Sequence, residues 1–173
     1  MNRVFIVMLF AVTVTLEGII MPALFGIREN FLTVIFLVAL IVTYGTPAWV
    51  LGYGTVMAFI AEWFQGFYPG SLVMAWLLAA WAWYVMTEFL SIQPFRESPR
   101  TNIIGHTIAG LVLFSIVGSG FIGIEYLLYD RMITPAVLVS ISRMPRIALF
   151  IAAAFAAYIM LLGSRRRQLF RYG

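Results

Sequence analysis

Six apolar stretches divide this chain: 4–25, 31–44, 48–66, 70–90, 103–125 and 146–163. A helix needs ~20 apolar residues to cross a ~30 Å hydrocarbon core. Most of the stretches meet that length, and little polar sequence lies between them. Of the 173 residues, 63% are hydrophobic and 10% charged, and the mean hydropathy is +1.00. A soluble domain carries roughly 25% charged residues, because most of its surface faces water. The expectation is an all-α polytopic membrane protein. It is a bundle of about six transmembrane helices, the second one short, forming a single integral membrane domain over 1–173.

The second stretch is cut from the third by Gly45-Thr46-Pro47. At that length 31–44 reads either as a tilted short span or as a re-entrant piece. The start, an arginine followed by an apolar run, resembles a signal peptide, but the run is too long and lacks an A-x-A site, so it reads as an uncleaved span. The connection 91–102 is polar. The connection 126–145 alternates apolar and small polar residues and suits an interfacial segment.

The basic balance consists of eleven arginines without a lysine. Arginines flanking spans fix topology, and that reading leaves no nucleic-acid partner. Six spans put seven arginines on one side (Arg3, Arg96, Arg100, Arg165, Arg166, Arg167, Arg171) and four on the other (Arg28, Arg131, Arg143, Arg146). The richer side is expected in the cytoplasm, and the C-terminus with it.

Chemistry is sparse. There is no cysteine and one histidine, His106. Thiolate catalysis is excluded, and no metal, cofactor or catalytic site is expected. His106 reads as structural, and Glu88 and Glu125 sit at span ends. Two acids lie within apolar stretches, Glu17 and Glu62. An ionised acid there costs ~2.5–3.5 kcal/mol on insertion scales, so it faces the bundle and finds a partner. Six spans place both in the outer half, with Gln65 nearby. Glu17 and Gln65 are candidates for a buried polar contact, and the two carboxylates, Glu17 and Glu62, for a shared cation or proton or for pairing with Arg131, Arg143 or Arg146.

Glu62 stands in a row counted in fours: Gly54, Ala58, Glu62, Gly66, Gly70. Residues four apart share a helix face, and small ones let a second helix approach closely. The row is expected to be a helix-packing or partner seam. Gly66 and Gly70, around Pro69, also suit a tight turn. Ala75 and Ala79, Gly105 and Ala109, and Ala148, Ala152 and Ala156 repeat the spacing and read as packing faces. Trp76, Trp81 and Trp83 lie mid-span, where they fill the bundle or face a partner. Trp49 and Trp63 lie near span ends.

The row resembles the Gly-x3-Gly-x3-Asp-x3-Gly-x3-Gly pattern of the rod shape-determining protein MreD family. Ala58 stands in place of one glycine and Glu62 in place of the aspartate. The short second span, Pro145 at the last span and the basic tail are also similar. The resemblance implies a non-enzymatic component of the bacterial inner membrane that helps organise lateral peptidoglycan synthesis and cell shape. Its implied partners are an MreC-like membrane protein, the actin-like MreB and a RodA-type glycosyltransferase with its transpeptidase. The implied fold is similar to the S components of energy-coupling factor vitamin transporters, and such a substrate-binding subunit is the alternative. Those subunits often carry an Ala-x3-Ala motif on the first span, where this chain has Ala11 and Thr15.

Overall fold

The structure, a computed structural model, describes residues 3–20, 23, 31–66, 68–88, 103–129 and 144–166. All regular structure among them is helical. The helices are α1 (Arg3–Thr15), running into a π-helical turn (Leu16–Ile20), α2 (Phe31–Tyr44), α3 (Ala48–Gln65), α4 (Ser71–Glu88), α5 (Ile103–Tyr129) and α6 (Met144–Arg166). The six apolar stretches thus correspond to six helices. The connection 91–102 and residues 130–143 of the expected interfacial segment lie outside the described residues, whereas 126–129 extend α5.

Two helices are long and apolar enough to cross a membrane, Arg3–Ile20 and Ser71–Glu88. The other four offer shorter apolar stretches.

The short helix is the centre of the fold. α2 packs against each of the other five helices. Every residue from Ile35 to Thr43 is buried. A helix that is apolar all round belongs inside, and the run LTVIFLVALIVT has no polar face to turn outward. At 1.5 Å per residue α2 is ~21 Å long, shorter than a ~30 Å hydrocarbon layer. Lipid thickness constrains helices that touch lipid. A helix enclosed by protein is constrained by its neighbours instead.

Around α2 the other helices turn one stripe inward. α1 contributes Ile6, Phe10, Thr13 and Glu17, at spacings that follow one helix face. α6 contributes Ile151, Phe155, Ile159 and Leu162. The spacing of Ala148, Ala152 and Ala156 implied a different face. Ala152 and Ala156 are only half-buried, because the large apolar side chains one position earlier take the core. On α4, Ala75 and Ala79 are fully buried, and on α5 Ala109 is buried beside a half-buried Gly105.

Aromatic rings tie the centre together. Phe36 of α2 meets Phe10 at 5.8 Å and the edge of Tyr158 at 5.5 Å between centroids. Tyr44, at the end of α2, packs edge-on against Trp49 at 5.4 Å and donates to the Leu162 carbonyl at 2.9 Å. Gly45 then takes a φ of 77°, a left-handed value that suits glycine, and Pro47 opens α3 in an extended conformation.

Candidate functional site

The row of residues four apart builds one helical hairpin within the chain. Gly54 and Ala58 lie on the buried face of α3. The indole of Trp76, from α4, occupies the space beside Gly54. A Cβ placed on Gly54 would sit 2.0 Å from Trp76 Cζ2. Glycine at 54 is therefore what admits the largest side chain in the core, and Trp76 is 2% exposed.

Glu62, one turn beyond Ala58, is also 2% exposed. Its Oε2 accepts the Gly70 N–H at 2.8 Å and its Oε1 accepts the Val73 N–H at 2.8 Å. Gly70 is the residue before α4, and its carbonyl accepts the helix bond from Met74 at 2.9 Å. At such an N-cap a serine or aspartate side chain would accept the N–H three residues on, and a glutamate at that third position would reach back to the cap N–H. Gly70 has no side chain, so Glu62 makes both bonds from the neighbouring helix. The first N–H groups of a helix are otherwise unsatisfied, and Glu62, buried beside this one, supplies the partner that water supplies at an exposed helix start. A carboxylate is also the group the positive end of the helix dipole favours.

Gly66 and Gly70 do not extend the packing face that their spacing suggested, and they form the turn that the same residues around Pro69 predicted. Gly66 ends α3 with φ of 68° and ψ of 29°, and its N–H donates to the Glu62 carbonyl. It is exposed, and a Cβ on it would meet nothing within 4 Å. Gly70 has φ of 91° and equally open space. Both are glycine because the backbone turns left-handed there. The helix-packing part of the seam is Gly54 and Ala58. The turn part is Gly66 and Gly70. Glu62 couples the two.

Glu17 repeats the arrangement at the next helix start. It lies in the π-helical turn that ends α1 and is 2% exposed. Its Oε2 accepts the Thr33 N–H at 2.8 Å, and its Oε1 accepts the Leu32 N–H. The Thr33 hydroxyl also donates to Oε2. Leu32 and Thr33 are the second and third residues of α2, where capping oxygens bind. Both buried acids thus hold the opening turn of the following helix, and charge-assisted bonds of this kind are the strong ones.

Thr13, one turn before Glu17, donates to the Leu9 carbonyl at 2.8 Å, and its hydroxyl also meets the Tyr158 hydroxyl at 2.8 Å. Since Thr13 has one proton, Tyr158 is the donor between them. Thr13 thus links α1 to α6 beside the Glu17 cap.

The remaining expectations fall elsewhere. The side chains of Gln65, Glu125 and Arg146 lie outside the described residues, as do Arg131 and Arg143, so pairing of the acids with them is not described. His106 is buried on the inner face of α5. Glu88 is exposed at the end of α4. Trp76 and Trp83 fill the bundle, whereas Trp81 and Trp63 face outward. Among the described residues no three His, Cys, Asp or Glu side chains gather to hold a metal.

Sequence reading missed two features. Gly110 of α5 receives the ring of Phe155 as Gly54 receives Trp76, with a hypothetical Cβ 2.9 Å from Phe155 Cδ1. It lies outside the four-residue spacings. The other is Thr33, whose place three residues into α2 was the available signal for a cap contact.

No family model, curated protein or solved structure matches this chain.

Proposed function

We propose that this chain is a multi-pass, non-enzymatic scaffold of the bacterial inner membrane, of the MreD type, that works in the elongation complex with an MreC-like partner. The observation that carries the reading is the coherence of the 54–70 row. Gly54 seats Trp76, Glu62 caps α4, and Gly66 and Gly70 turn the chain. The spacing that resembles the family is thus the ground plan of one structural unit. Both intramembrane acids have their carboxylate oxygens engaged with backbone N–H groups, which supports a structural role for them.

The multi-pass reading is supported by the outward faces. Val7, Met8 and Val12 on α1, Phe59 and Ile60 on α3, and Ile104, Ile108 and Val112 on α5 are all exposed. Contiguous apolar surface of this kind is foreign to a soluble monomer and suits lipid. The arginine balance then puts the C-terminus in the cytoplasm.

The test is expression in a rod-shaped bacterium depleted of its own MreD protein. Return of rod shape, with co-purification of the MreC protein, is expected. Cells that stay round, together with saturable vitamin binding by the purified chain, would replace this reading with a transporter S component.

A further inference from the structure

The exposed residues of α4 are Met74, Leu77, Trp81, Tyr84 and Glu88, and the rest of the helix is buried or half-buried. Their spacing is three, four, three, four, the repeat of a left-handed helix–helix seam. We propose that this seam docks a single transmembrane helix of another protein. That helix offers a hydrogen-bond acceptor at mid-depth and a basic residue beside Glu88. The inference rests on the multi-pass part of the functional reading.

Lipid is a poor occupant for the seam. α4 has 18 residues, ~27 Å at 1.5 Å per residue, close to the ~30 Å thickness of a hydrocarbon core. Trp81 is its eleventh residue and lies close to the middle of the bilayer. It is 63% exposed, and among the described residues its indole N–H has no partner. Tryptophan gathers at the membrane interfaces, where its N–H meets water or headgroups. An unsatisfied N–H in hydrocarbon is costly. The outward face of α1 carries Val4, Met8 and Val12, and that of α5 carries Ile104, Ile108 and Val112 followed by Ser115 and Ser119, of which Ser115 donates to the Leu111 carbonyl of its own helix at 2.9 Å.

The width also fits one helix. α1 exposes neighbouring pairs, Val7 with Met8 and Ala11 with Val12, a broad face suited to lipid. α4 exposes single residues, as α5 does at Ile104, Ile108, Val112, Ser115 and Ser119, and the indole of Trp81 and the carboxylate of Glu88 are what set the α4 line apart.

A second copy of this chain fits badly. Two copies share one orientation in the membrane, and a two-fold contact along the seam sets each residue near its own counterpart. Trp81 would face a second N–H donor, and Glu88 a second carboxylate. A different helix resolves both. An Asn, Gln, Ser or Thr opposite Trp81 accepts its proton, and Arg or Lys at the end of the span pairs with Glu88.

The chain has no cysteine, so Ile104→Cys, on the exposed face of α5, takes a single donor fluorophore. The labelled full chain is reconstituted in phosphatidylethanolamine–phosphatidylglycerol vesicles. Acceptor-labelled polyleucine peptides are then added, one with a central asparagine and arginine ends, one without the asparagine, and one with serine ends. Energy transfer to the asparagine peptide should reach half-maximum at a peptide-to-lipid ratio about three- to tenfold lower than for plain polyleucine. Trp81→Phe should remove that preference, and Glu88→Gln should remove the preference for arginine over serine ends. Val112→Phe, on the α5 face, should change neither, and circular dichroism should show each variant folded. Equal transfer to all peptides, or preferences that survive Trp81→Phe and Glu88→Gln, would overturn the proposal. So would self-association of the chain that depends on Trp81, which would assign the seam to a second copy. These outcomes are read in vesicles, so they are separable from the rod-shape test.

Discussion

Trp76 of α4 lies where a side chain on Gly54 of α3 would stand, with Cζ2 2.0 Å from the position of a Cβ. The two residues are one packing decision, a missing side chain on one helix and the largest possible one on the next. Gly54→Ala is therefore expected to destabilise the folded chain by at least the ~1–3 kcal/mol typical of overpacking. Thermal unfolding in detergent measures it. The double variant Gly54→Ala with Trp76→Leu should cost less than the two single changes added together. Strict additivity would deny the contact.

Gly66→Ala should behave differently. Nothing lies within 4 Å of the added Cβ, but φ is 68°. The cost is backbone strain, ~1–2 kcal/mol, and no neighbouring truncation should relieve it. Asparagine, which tolerates left-handed backbone, should cost less than alanine at this position.

At Glu62 the order expected is Asp best, then Gln, then Leu. Both oxygens accept backbone N–H groups. Aspartate keeps two acceptors on a shorter arm. Glutamine keeps one acceptor and turns its NH2 toward a donor. Leucine keeps none, and each lost bond to a charged group is worth ~1.5–3 kcal/mol. Amide hydrogen exchange at Gly70 and Val73 should accelerate in the same order. Unchanged exchange in Glu62→Leu would show that the carboxylate does not hold the helix start.

Glu17 and Thr33 form the matching test on α2. Thr33→Val removes one hydroxyl bond to the carboxylate and leaves the two backbone bonds. Glu17→Leu removes all three. Thr33→Val should cost less than Glu17→Leu, and only Glu17→Leu should expose the Leu32 and Thr33 amides to rapid exchange. The reverse order would place the main support of α2 elsewhere.

Topology is checked by reporters fused after Gly173. The arginine balance predicts activity for the cytoplasmic reporter and silence for the periplasmic one. Strong periplasmic activity would invert the bundle.

Among the described residues the apolar stretches match the helices in number and nearly in bounds. Length and uninterrupted hydrophobicity are local properties, and the breaks at Gly45–Pro47 and Gly66–Gly70 are written in residues that favour turns. The 31–44 helix has the same bounds in sequence and structure. That the acids are buried was legible too, because an ionised side chain in an apolar stretch has few other places to go.

Tertiary structure decided what those residues hold. The spacing of Gly54, Ala58, Glu62, Gly66 and Gly70 treats five positions as one helical face, yet the helix ends at Gln65. Past that point a four-residue count no longer reports a face, and Gly66 and Gly70 serve only the turn that Pro69 between them also predicted. That Glu62 reaches Gly70 and Val73, and Glu17 reaches Leu32 and Thr33, depends on how neighbouring helices are set against each other. So does the sorting of Trp76 and Trp83 inward and Trp81 outward, since α4 is apolar on every side. A sequence apolar all round determines that a helix forms. Which of its faces is buried depends on the shapes of the helices it meets.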